Sequence, residues 1–350
     1  MALHPFDSIT DAEIRLTSKL IKDLNGTNKV HFTQMDRLDP PKTDMIKYLD
    51  AERYGKGPLP VIPRKTYVYY YLNDSMPLYK ALVNVTYGHV ITNVAVKDAA
   101  AGPLLPEDLG AIEDLVHTHP VFLEEAKKLN LPDYVEICVD PWMYGTDSDD
   151  IKEPLIQCYV YLKVHHPDAN HYSLPLKFSP VFTLLTRKFV RMDYLPGGID
   201  EKTCATEPWK PVKAVEYHPD LNGETEIRDL KPLIIEQPEG VSFQITGSKV
   251  EWQGWEFRVA TNAREGVVLY DVHFKGRSLF YRIALNEMTV PYGDPRKPYH
   301  RKQAFDLGDC GFGVNANQLN LGCDCLGVIK YLDCYRIDGE GSPIKLTNTV

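Results

Sequence analysis

The chain has 350 residues, enough for about two or three domains. Hydrophobic residues make up 43% and charged residues 25%, so a sizeable core can form. A net charge of −9 argues against nucleic acid or an anionic membrane surface as partner, since both attract a basic face. The 21 tyrosines against 12 phenylalanines point to β-rich structure, because such rings suit pleated, half-buried surfaces. The opening MALHPFDSITDAEIRL lacks a basic stretch followed by an apolar one, so no secretory signal is expected. No apolar run approaches the roughly 18 residues of a membrane span. Seven cysteines lie scattered rather than in a disulfide framework, and the expected compartment is intracellular.

Elements follow in order. Ile14, Leu16, Leu20, Ile21 and Leu24 recur at helical spacing over 11–25, with Thr10 or Asp11 as the cap. A strand near 30–35 and a helix over 42–49 come next, then strands over 66–72, 78–85 and 90–96. Asn73-Asp74-Ser75 and Tyr87-Gly88-His89 turn the chain between them. After an Ala-rich connector the order repeats. A helix over 109–129 breaks near Pro120, and strands are expected at 134–139, 157–164, 173–176, 181–185 and 189–194. From Pro238 the texture becomes that of many short strands, with Gly247 and Gly254 at tight turns.

The expected class is α+β. Two small cystatin-like α+β domains, at 1–97 and 105–205, precede a linker over 206–233 and the first part of a large antiparallel β-sandwich over 234–350. Three sequons, at Asn25, Asn73 and Asn84, are read as coincidences in a chain without a signal.

The stretch from Val290 to Asp333 carries the chemistry. Asp306 sits in Ala304-Phe305-Asp306-Leu307-Gly308, an apolar and glycine-rich setting. Burial without a cation raises a carboxylate's proton affinity and suits a general base, while the plainer reading is a turn residue capping Gly308. Tyr292, in Val290-Pro291-Tyr292-Gly293, reads locally as a β-turn tyrosine.

These strings, with QPEGVSF, REGVVLYDV, RIALNEMTVPYGDP, RKQAFDLGDCGFG and LGCDCLGVIKYLD, resemble the start of the catalytic domain of copper- and topaquinone-dependent primary amine oxidases. VDPWMYG, YSLPLKFSPV and the opening HPFDSITDAEI extend the likeness across nearly the whole chain, towards fungal and peroxisomal members. The resemblance implies that Asp306 is the proton acceptor and that Tyr292 contacts the quinone and borders the substrate pocket. It implies a disulfide from Cys325 to a cysteine further along, but no cysteine follows Cys334. It also implies a homodimer that oxidises a primary amine with O2 and water to aldehyde, ammonia and hydrogen peroxide, using copper and topaquinone.

Other parts of that chemistry are missing from the string. No Asn-Tyr-Asp or Asn-Tyr-Glu, the source of the quinone, occurs. His117-Thr-His119 is the sole His-x-His; on a helix its two rings face different ways, so it does not make a copper pair. His165-His166 has no third partner nearby in sequence, and Cys323-Asp324-Cys325 is too tight for a zinc knuckle. The remaining histidines and the charge run 296–301 read as solvated surface. The expectation is a truncated amine oxidase, inactive alone because neither cofactor can be built from these residues. The rivals are a non-catalytic scaffold or binding protein that keeps the front half of the fold, and a binding module within 1–205.

Overall fold

The computed structural model describes residues 3–55, 57–99, 101–144, 153–164, 166–195, 205–223, 230–285, 290–291, 293, 303–304 and 309–350. Its contacts divide the chain into two compact units. The first holds Met1–Pro106, Leu233–Thr289 and Phe305–Val350; the second holds Glu107–Pro232 and Val290–Ala304. The architecture is mixed α and β with antiparallel sheets.

The first unit opens with α1 (Asp11–Asn25), which starts at a reciprocal cap. Glu13 N–H donates to Thr10 Oγ1 at 3.3 Å, and Thr10 N–H donates to Glu13 Oε2 at 3.0 Å. Ile14, Thr17, Ser18 and Ile21 form its buried stripe. Then come β1 (Val30–Leu38), α2 (Lys42–Tyr54), β2 (Lys65–Leu72), β3 (Ser75–Asn84) and β4 (His89–Ala95). The four strands make an antiparallel meander in sequence order. Asn73 and Asp74 both take positive φ, the conformation a two-residue hairpin needs to match strand twist. Thr66, Val68 and Tyr70 alternate inward along β2, and Val68 and Tyr70 pack with Ile14, Ile21 and Phe32.

The second unit repeats the order. Helices α3 (Pro106–Thr118) and α4 (Pro120–Lys127) are parted at His119, because the proline ring forces the residue before it out of helical geometry. Strands β5 (Val135–Met143), β6 (Leu155–Val164), β7 (Phe178–Thr183) and β8 (Phe189–Tyr194) again form a sequential antiparallel meander. The strand expected at 173–176 is not one. A 3-10 turn occupies His171–Ser173, and a single bridge joins Tyr161 to Pro175. Pro175 has no N–H to extend a ladder, so only its neighbours bond, Leu174 through its carbonyl and Leu176 through its amide. Within 206–233 the chain is tied back: Trp209 N–H donates to Leu129 O at 2.7 Å and its ring packs beside Leu162 and Leu174. A single turn, α5 (Pro219–Asn222), follows.

The chain then re-enters the first unit through β9 (Gln244–Thr246), β10 (Lys249–Trp252), β11 (Trp255–Asn262), β12 (Gly266–Phe274) and β13 (Arg277–Ala284), a five-stranded meander. The tight turns fall at Gly247 and Gly254 as expected. This sheet shares a core with the first block. Met45 and Leu49 of α2 and the buried Phe6 meet Ala260, Val268 and Tyr270, and Phe6 stacks on Tyr270 with ring centroids 4.2 Å apart. The short pair β14 (Val290–Pro291) and β15 (Gln303–Ala304) belongs to the second unit. Last comes the hairpin β16 (Cys334–Ile337) and β17 (Pro343–Leu346) of the first unit. Ile337 enters the core of Ile14 and Phe32, and Gly339 O accepts Phe32 N–H at 2.9 Å.

Candidate active site

Tyr292 and Asp306, the two residues singled out for chemistry, lie outside the described residues, as does the charge run 296–301. What is described is their flanks. Val290 pairs with Ala304 and Pro291 with Gln303. The chain is described again from Asp309.

In the first unit, the segment after the candidate base is clamped by backbone. Leu104 N–H donates to Asp309 O at 3.0 Å. Phe312 N–H donates to Arg264 O, and Gly313 and Val314 N–H both donate to Ala263 O, at 3.0, 3.0 and 3.1 Å. Gly311 and Gly313 permit this closeness. A Cβ on Gly311 would land on Ala263 O and one on Gly313 on Asn262 O, and Gly311 also holds φ +121.

The turn that receives them, 262–265, is itself held from two strands. Glu265 N–H donates to Asn262 Oδ1 at 2.7 Å, and Arg282 of β13 donates to both Glu265 oxygens, one at 2.9 Å. From β1, Asp36 Oδ1 accepts Ala263 N–H at 2.8 Å. Asp36 is 1% exposed, and its other oxygen accepts from Gln34 Nε2 at 3.0 Å and Tyr67 OH at 3.3 Å. Burial raises this carboxyl to about 6; the three hydrogen bonds hold it down in part, and Glu265 adds to the rise. Sequence reasoning passed over Asp36. A lone aspartate within MDRL carries no motif, and its partner amide lies 227 residues away.

A second buried charge holds the amino-terminal segment. Arg64, 8% exposed, bonds Glu13 at 2.5 and 2.8 Å and donates to the carbonyls of His4, Asp7 and Ser8, each at 3.0 Å. Burial raises the Glu13 carboxyl, but Arg64 and Thr10 outweigh it and the net shift is downward.

The implied copper was tested against the donors present. Among the described residues no group of three His, Cys, Asp or Glu is arranged to hold a metal. His117 meets Phe122 edge-on while His119 stacks on Phe189, so the His-x-His rings occupy different environments. In the second unit, the repeated strings His166-Pro167-Asp168 and His218-Pro219-Asp220 bring two imidazoles to 5.2 Å between centroids. Each spends Nδ1 on the backbone amide two residues on, at 3.1 and 3.3 Å. Two rings do not make a copper centre. Cys325 is a free thiol in the turn where Gly322 N–H donates to Cys325 O at 2.7 Å, and Tyr331 OH reaches its sulfur at 3.5 Å. The described residues therefore do not fit the copper, and no step is routed through it.

Residues 244–350 match the family model described as copper amine oxidase, enzyme domain. Copper amine oxidase 1 of Aspergillus niger is 38% identical over 100% of this chain and 54% of its own length. The peroxisomal primary amine oxidase of Pichia angusta is 33% identical over 97% of this chain and 48% of its own. A crystal structure of a copper-containing benzylamine oxidase from Hansenula polymorpha superposes with TM-score 0.94 at 61% identity, over 99% of this chain and 54% of that one. The family this chain is similar to, along its whole length, is the copper amine oxidases. The chain spans about half the length of the curated relatives it matches. That likeness accounts for the antiparallel sheets and their order among the described residues, and it agrees with the resemblance read from the strings around Asp306.

Proposed function

We propose that this chain is the front portion of a copper-dependent primary amine oxidase, and that Asp306 is its proton acceptor. The observation that carries the reading is the TM-score of 0.94 at 61% identity to a copper-containing benzylamine oxidase across 99% of the chain. The step assigned to this chain is proton removal. The Asp306 carboxylate takes a proton from the carbon that bears the amine nitrogen, and a base held in apolar surroundings has the proton affinity to do so and to be released afterwards. Tyr292 lines the same pocket and orients the reacting group through its hydroxyl. The substrate is a primary amine, with O2 as acceptor. The working assembly is a homodimer, and the compartment is peroxisomal or cytoplasmic. No residue of this chain is assigned as a copper ligand or as the source of the quinone, which Tyr292 would only contact.

A second reading rests on one sequence fact, the absence of any Asn-Tyr-Asp or Asn-Tyr-Glu string. Taken alone, the 350 residues would be a non-catalytic scaffold that keeps the family fold. The two readings part in one experiment. Residues 1–350 are joined to the remaining half of the Hansenula polymorpha enzyme, and peroxide release from a primary amine is measured. The enzyme reading expects turnover in the chimera, and Asp306→Asn lowers kcat by roughly 10²- to 10⁴-fold, the span of general-base catalysis. An active chimera that is indifferent to Asp306→Asn rejects the base. A folded chimera without turnover, beside an active parent, favours the scaffold.

A further inference from the structure

Resting on the reading of Asp306 as base, we propose that Asp36 is a positioning residue that fixes the 309–315 segment, which follows that base by three residues in the sequence. The connection is short and continuous. Asp36 Oδ1 holds the amide of Ala263, and the carbonyl of that same residue holds the amides of Gly313 and Val314. Asp309, where the clamped segment begins, is three residues past Asp306. Asn315 closes the far side, its backbone and side-chain N–H groups donating to Gly311 O at 3.1 and 3.0 Å.

The chemistry of Asp36 argues that it does more than fill space. Its three bonded partners, Ala263 N–H, Gln34 and Tyr67, are all neutral, and it faces Glu265, a like charge. A buried carboxylate in that company is costly, and an apolar residue in β1 would serve a core better. What only an acceptor at this position supplies is a fixed bond to the Ala263 amide. The carbonyl of the same residue, in the next peptide unit, receives two N–H groups, so pinning the Ala263 backbone also pins the acceptor those two donors share. A base works only when held within a fraction of an ångström of its proton, and a displacement of about 1 Å costs on the order of 10²-fold in rate. Gly311 and Gly313 serve the same end, since any side chain there would force the two backbones apart.

Amide hydrogen exchange on the 350-residue chain tests this without turnover. Asp36→Ala is expected to speed exchange of the 262–264 and 312–314 amides about 10-fold, the equivalent of one lost buried hydrogen bond. The amides of β2 and β3 keep their protection, and Asp36→Asn, which retains an acceptor oxygen, keeps the 312–314 protection too. Val68→Ala is the comparator, a core truncation remote from the clamp. If it loosens 312–314 as much as Asp36→Ala does, or if Asp36→Ala leaves those amides unchanged, positioning is overturned. Should Asp36→Ala fail to fold, Tyr67→Phe removes one support of the carboxylate and is expected to give a smaller rise, roughly 3-fold, in the same peptides.

In the chimera described above, Asp36→Ala is expected to lower kcat by at least about 10-fold with KM within roughly 2-fold, and Asp36→Asn to restore it. A loss confined to KM counts against positioning. The two readings fail separately: an inert Asp306→Asn discards the base and leaves the exchange result standing, while unmoved exchange discards Asp36 and leaves the base standing.

Discussion

The two four-stranded meanders have the same strand order and differ in what their buried polar groups hold. In β1–β4 these groups reach far along the chain. Asp36 takes the amide of Ala263, Arg64 collects the carbonyls of His4, Asp7 and Ser8, and Ser18 of α1 donates to Gly341 O. In β5–β8 two such groups bind neighbours of their own unit. Ser179 donates to Cys158 O at 2.7 Å, and Glu125 is bonded by Lys128, Thr206 and Tyr194. One architecture thus serves as a platform for later segments and, repeated, as a block with its own buried residues Phe178, Phe182, Val160 and Ile156. The difference lies in a handful of polar side chains and not in topology.

The largest expected effects break the comparison at its two anchors. Arg64→Ala leaves Glu13 buried without its cation and frees three carbonyls, at a cost of about 3–5 kcal/mol. Phe182→Ala, a fully buried ring packed against Phe189, costs about as much through the cavity it leaves. Their reach should differ. Exchange protection is expected to fall in residues 4–14 for Arg64→Ala and only among second-unit amides for Phe182→Ala. Thermal unfolding followed by peptide-level exchange reads both, and a uniform loss in either variant would dissolve the contrast.

Next in size is a pH effect of opposite sign on two carboxylates of the platform. Asp36 is raised from 3.8 to about 6, so its contribution to stability is full below its unfolded value and is lost as pH rises through 6. Across that window the change amounts to about 3 kcal/mol. Glu13 is lowered instead, so its contribution is present above 4.5 and is lost as pH falls through its depressed value. Stability of wild type minus Asp36→Asn should therefore decline between pH 4 and 7, while wild type minus Glu13→Gln should decline only on acidification. A flat Asp36 difference would show that its burial is relieved in solution.

Much of the platform was readable in the sequence for identifiable reasons. The helical spacing of Ile14, Leu20 and Ile21 behind a Thr10 or Asp11 cap announced α1, Asn73-Asp74-Ser75 announced the turn, and Gly247 and Gly254 announced turns, because each is a local signal with a local cause. The strand at 173–176 was misread because alternation there hides a proline that cannot donate. Asp36 and Arg64 were illegible for the opposite reason. Each is a single charged residue at a strand edge or interior, and its meaning comes from partners 227 and about 50 to 60 residues distant. The candidate base was legible through Ala304 to Gly308 and its neighbours, a likeness of strings. The clamp behind it emerged only from backbone geometry.

The smallest expected effect sharpens the same contrast at the helix starts. Helix α1 is capped by the reciprocal Thr10 and Glu13 bonds, whereas α4 follows His119 with no side-chain cap and opens on Pro120. Thr10→Ala should cost about 1 kcal/mol, the usual value of a lost cap. The Glu13 N–H loses its acceptor, while the Glu13 carboxylate goes on accepting the residue-10 N–H and is bonded by Arg64 at 2.5 and 2.8 Å. The cost should therefore change when Arg64 is also replaced, since cap and ion pair share one carboxylate and neighbouring interactions do not add. A double-mutant cycle on Thr10 and Arg64 by denaturant unfolding measures that coupling. Strict additivity would mean that the helix start and the amino-terminal latch act as separate devices.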